Sequence, residues 1–194
     1  MTVRLAGFAI LLASSLAAVP IQEPAEVLDV VATITPAGSA SGGRASGGIT
    51  VPMVITIDRY SPERARNSMT DALKFRGYPG FLEALRAAPR AGSVEAAGQS
   101  FVIRWARQVD AAAGRTISIV TDTPVYFVGG GRRGAKPTAG YEVAVALLTL
   151  DKSGHGTGTM AAAARVKPGG ETGVRIDDYA ETPVKLAATV RGAK

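Results

Sequence analysis

Apolar residues that alternate with polar ones over short segments constrain this chain more than any other feature. Leu28, Val30, Ala32 and Ile34 share one parity, as do Ile49, Val51, Met53, Ile55 and Ile57. Near the far end Val184, Leu186, Ala188 and Val190 do the same. A period of two places such residues on one face of a strand, so each segment is expected to be a half-buried β-strand. Between them lie FVIRWARQVD, RTISIVTD, PVYFV (124–128), YEVAVALLTLD, TGTMAAAARVK and VRID, separated by turn-forming stretches such as KSGHG and PGGETG. Eight or nine short strands joined by turns exclude a parallel sheet and point to an all-antiparallel architecture. Pro52 marks its strand as an edge or a bulge, because it has no N–H to give to a ladder. Phe101, Ile103 and Trp105 fall at strand spacing and are expected to share one face as core.

One stretch changes period. Ser61-Pro62-Glu63 reads as a helix start, with Ser as N-cap, Pro at the first helical position and an acid near the positive end of the dipole. Ala65, Met69, Ala72 and Leu73 recur at helical spacing, and Gly77 suits a left-handed C-cap. A second short helix over residues 80–88 carries Phe81, Leu82 and Leu85 and is closed by Pro89. The fold class expected is therefore α+β but mostly β: an antiparallel meander forming a barrel or curled sheet, with a two-helix insertion at about 61–88.

The first residues are of a different kind. Arg4 precedes an apolar run, residues 5–16, that is too short for the roughly 20 residues of a membrane span. Ser15-Leu16-Ala17 then supplies a small-x-small exit. Residues 1–18 are thus expected to be a secretory signal peptide cut after Ala17 or Ala18, leaving 19–194 as a single β-rich domain. No transmembrane segment is expected in that mature chain. The absence of cysteine removes disulfides, a lipid-anchoring thiol, a thiolate nucleophile and a Cys-based zinc site. An exported soluble product, periplasmic or released, is the expectation. The formal charge of +6 favours anionic partners, yet the cations are scattered, with Arg64, Arg66, Lys74 and Arg76 in one segment and Arg132, Arg133 and Lys136 in another.

Four stretches are candidates for chemistry. The glycine-rich GGGRRGAKPTAG follows a predicted strand, but Pro137 separates Lys136 from Thr138 and a strand follows where a phosphate-binding loop requires a helix. It is expected to be a rim between two strands, with Arg132, Arg133 and Lys136 the residues that would meet an anionic ligand at a barrel mouth. His155, the sole histidine, stands in LDKSGHG beside Asp151 and Ser153. These crowd one turn, whereas a triad converges across a pocket. One carboxylate followed by Lys, Ser and His is also a poor calcium loop, and no metal or cofactor is expected. Asp177, Asp178 and Glu181 offer paired acids, but adjacent strand residues point to opposite faces and cannot serve one site. The few aromatics give little for bases to stack on, so no nucleic-acid partner is expected.

SPERARNSMTDALKFRGYPGFLEALRAAP, GRTISIVTDTPVYF, LDKSGHGTGTMAAAARV and DDYAETPVKLAATVR, in that order, resemble segments of a group of exported bacterial proteins to which no activity is assigned. The resemblance implies export and a shared fold, and transfers no site residue. Together these features favour a non-catalytic binding protein for a small apolar or anionic ligand. The alternatives are a secreted hydrolase using His155 or a carboxylate such as Asp178 or Glu181, and an envelope protein docking on anionic polymer.

Overall fold

The computed structural model describes residues 26–34, 48–125, 137–169, 174–180 and 183–192. The expected signal peptide, the basic trio Arg132, Arg133 and Lys136, and Glu181 lie outside the described residues. In chain order the elements are β1 (Glu26–Ile34), β2 (Ile49–Ile57), α1 (Glu63–Ala87), β3 (Gly92–Ala96), β4 (Gln99–Ala111), β5 (Gly114–Thr121), β6 (Val143–Asp151), β7 (His155–Pro168), β8 (Val174–Asp178) and β9 (Val184–Val190).

Every strand pairing is antiparallel. β1 to β6 pair in sequence, β6 pairs with β7, β7 with β9, and β9 returns to β1, which closes an eight-stranded barrel. The long strand β7 makes this possible. Its first half, His155–Met160, pairs with β9, and its second half, Ala164–Pro168, pairs with β8. β8 and β9 therefore lie end to end along one edge of β7. Two of the expectations on strands need adjusting. β3 carries too few apolar residues to announce itself, and Pro124 and Val125, the described part of the expected strand 124–128, lie outside the ladder. Pro52 sits in β2 just beyond Met53, where the pairing with β3 begins, so the strand has an open side there.

The cross-strand register sorts the residues into two faces. Ala106, Ile119, Ala146 and Met160 are successive partners across β4 to β7 and are all buried in one cluster with Leu28, Ile55 and Leu186. That cluster fills the inside of the barrel with side chains. Among the described residues the interior is thus a packed core, unlike the ligand chamber that alternating strands can enclose. Gly158 contributes by size: a Cβ there would meet the Leu147 carbonyl oxygen at 2.1 Å.

At one end of the barrel the lining turns polar. The Tyr60 hydroxyl donates to Glu26 at 2.6 Å, Glu26 is ion-paired with Arg115, and Gln108 accepts a longer bond from Arg115 at 3.4 Å. Burial first, and the Glu26 carboxylate second, push the Tyr60 hydroxyl well above its ordinary pKa, so it stays a donor.

The outer face carries a second cluster. Val120, Val143, Ala161, Ala164 and Val166 point away from the interior and are covered by Met69, Leu73, Tyr78, Phe81 and Leu85 of α1. Trp105 belongs to this outer cluster, contrary to the expectation that it shares a face with Phe101 and Ile103. The register slips between Ile103 and Trp105, and that bulge reverses the parity of everything after it.

The helical insertion runs as one element, α1, but two helical segments are joined in it across a kink: Gly77 adopts the non-helical φ 67° and ψ −165°, and the helix resumes at once. Pro79 suits the restart because its φ is fixed near the helical value and its missing N–H would have had no partner in a first turn. The N-terminus also differs from expectation. The cap position is Pro62, without a side-chain hydrogen bond, because the Ser61 hydroxyl accepts the Ala106 N–H of β4 at 3.1 Å. A backbone bond from Ser61 N–H to the Ala106 carbonyl at 2.7 Å fastens the same point. The helix is thus tied to the barrel at its first residues by tertiary contacts.

Candidate functional site: a groove between the helix and the barrel wall

Outward-facing residues on neighbouring strands form ordered rows. Trp105, Val120 and Val145 are cross-strand partners, and two residues further along so are Arg107, Ser118 and Leu147. These rows are the floor of a groove of about 350 Å³. Met69, Leu73 and Phe81 of α1 form one wall, and Val166, Val174 and Ile176 of β7 and β8 contribute the other lining. Val109, Leu147 and Ile176 remain 45 %, 48 % and 46 % exposed, so the groove is open to solvent. Scattered exposed apolar residues are ordinary, whereas several gathered in one concave groove make it a candidate site.

The polar lining is confined to Arg66, Thr70, Arg107 and Ser118. Arg66 and Thr70 are one turn apart on α1, and Arg107 and Ser118 are partners on adjacent strands. Glu63, which does not line the groove, connects the two cations. It accepts a hydrogen bond from Arg66 at 2.8 Å and lies 3.7 Å from Arg107. The groove is therefore apolar along its floor and cationic at one locus.

A larger hollow lies elsewhere. It measures about 900 Å³ and crosses β3, β2, β1, β9 and the start of β7. It is open, and small residues such as Ala96, Gly98 and Ala187 line it together with Asp29, Glu95, Gln99, His155 and Thr189. Two polar hollows of about 380 and 480 Å³ share Gln108, Arg115 and Val190 at the polar end of the barrel. Their central cation, Arg115, is already occupied by Glu26.

The sequence candidates that are described do not converge. The His155 ring is bonded to Thr189 through Nδ1 at 3.1 Å. Asp151 instead organises its own turn, accepting the Ser153 hydroxyl at 2.6 Å and the amides of Ser153 and His155 at 2.9 and 3.0 Å. These bonds, the Ser153 hydroxyl foremost, hold the Asp151 carboxyl below its ordinary pKa. Asp177 faces Lys167 and Arg175, whereas Asp178 accepts the Ala180 amide at 3.0 Å and has its other oxygen buried without a partner. Among the described residues, no three His, Asp or Glu side chains gather as a metal site requires. No helix among them is long and apolar enough to cross a membrane.

The groove was not among the sequence candidates, although one signal for it was present. Val143 to Leu148 is an unbroken apolar run, and a strand apolar on both faces must be covered on both. Fold and groove together define the class: an antiparallel eight-stranded barrel with a packed interior and an open apolar groove on its outer wall. The chain matches no family model, no curated protein and no solved structure in the comparisons made.

Proposed function

We propose that this is a non-catalytic binding protein whose groove between α1 and the barrel wall takes an aliphatic ligand. The observation that carries the reading is the open apolar lining, where Val109, Leu147 and Ile176 stay half exposed in a concave site walled on one side by the helix. A pocket of about this volume, mostly apolar with a few placed polar groups, is what small-molecule sites look like. Export through the N-terminal leader is part of the same proposal, and puts the protein where aliphatic molecules need a carrier between surfaces.

The test uses the protein's own reporter, since Trp105 is the only tryptophan in the chain and lies in the groove. Titration with dodecanol is expected to change Trp105 emission saturably. Replacing half-exposed Leu147 by Gln removes part of the floor and is expected to weaken binding by roughly tenfold, the equivalent of about 1.4 kcal/mol. A flat titration of the wild-type chain, or one that Leu147→Gln leaves unmoved, would sink the proposal.

A further inference from the structure

We infer that the groove selects single-chain amphiphiles with an anionic head, gripped by Arg66 and Arg107, and that Glu63 holds this pair of cations until the head displaces it. The inference rests on the groove reading above and deepens it. Two guanidinium groups and two hydroxyls line one locus, and among the described residues no carboxylate lines the groove. Arg66 and Arg107 are each about one-third exposed, partly desolvated yet reachable from the open side. A guanidinium presents paired N–H donors that match the oxygens of a carboxylate or a phosphate, so the locus suits such a head and repels an ammonium.

Glu63 is the reason that this locus is not simply a salt bridge. Its carboxylate bonds well to Arg66 but lies at 3.7 Å from Arg107, too long for a good hydrogen bond. Arg107 therefore has donor capacity that an incoming head can use, and Glu63 is a competitor of the same chemistry. Exposed pairs of this kind hold only weakly, which makes Glu63 displaceable.

The experiment compares dodecanoate, dodecyl phosphate, dodecanol and dodecyltrimethylammonium by Trp105 emission on the full chain. One or both anions are expected to bind about tenfold tighter than dodecanol, with the advantage falling as salt is raised. Which anion leads distinguishes a fatty-acid source from a phosphate-ester source. Arg66→Gln with Arg107→Gln is expected to abolish the advantage of the anions over dodecanol, with circular dichroism and the thermal melt reporting that the variant is folded. Glu63→Gln is expected to tighten the anions severalfold and leave dodecanol unmoved. Equal binding of anions and dodecanol would overturn anion selection while leaving the groove reading in place. Tightest binding of the ammonium amphiphile would overturn the inference too. Failure of all four ligands would overturn both readings together.

Discussion

Asp177 and Asp178 are neighbours in the chain with opposite electrostatic fates. Lys167, with Arg175 behind it, lowers the Asp177 carboxyl pKa, whereas burial raises that of Asp178, whose inner oxygen has no partner. A carboxyl whose folded pKa is raised binds its proton more tightly in the fold than in the unfolded chain. Its charged form therefore costs stability at neutral pH, and the cost disappears as pH falls below the unfolded value near 4. Asp178→Asn keeps an oxygen for the Ala180 amide and removes the charge. It is expected to raise Tm at pH 7 by about 1–2 °C, a small gain because the side chain is only half buried. The gain should fade towards pH 3, and thermal melts at the two pH values check it. A gain of the same size at both would show that something other than charge is responsible.

The kinked helix and the bulged strand show how local sequence and tertiary structure divide the work at the scale of the element. The helical segment was legible from its 3.6-residue period, and most strands from their alternation. The cap at Ser61 was not, because its hydroxyl is taken by an amide 45 residues away. Nor was the outward turn of Trp105, since a bulge leaves an unbroken apolar pattern in the sequence while reversing which face it serves. Gly77 was read as the end of a first helix, and its non-helical backbone does separate two helical segments, which continue as α1 across a kink. Its φ of 67° with ψ of −165° belongs to a region that only glycine occupies readily, and a Cβ there would have nothing nearer than Pro79 Cδ at 3.9 Å. Gly77→Ala thus isolates backbone strain from crowding. It is expected to cost about 1–3 kcal/mol in denaturant unfolding. A loss below about 0.5 kcal/mol would mean that the kink is not held by the packing of Phe81 and Leu85 against the wall.

At the scale of the molecule, one pair of adjacent leucines separates interior from exterior. Leu148 is fully buried inside the barrel, and Leu147, next to it, is 48 % exposed on the groove floor. Leu148→Ala should destabilise by about 2–5 kcal/mol, as core truncations do. Leu147→Ala should cost under about 1 kcal/mol while weakening dodecanol binding. Equal losses of stability would contradict the assignment of the two faces. A barrel was legible in the number and parity of the strands, but the site was not. Its lining is drawn from α1 and from β4 to β8, and only the register brings those residues into rows.

The seam of this barrel runs between the first and the last of its described strands, with Leu28 opposite Val190 and Thr33 opposite Lys185, fastened by an ion pair between Asp29 and Arg191. Contacts so distant along the chain are the slowest to form. On a ribosome β9 emerges last of these strands, so β1 waits with one edge unpaired through the synthesis of everything between. The nascent chain cannot close its barrel before β9 has emerged. The order of the strands thus makes closure the last pairing available to them.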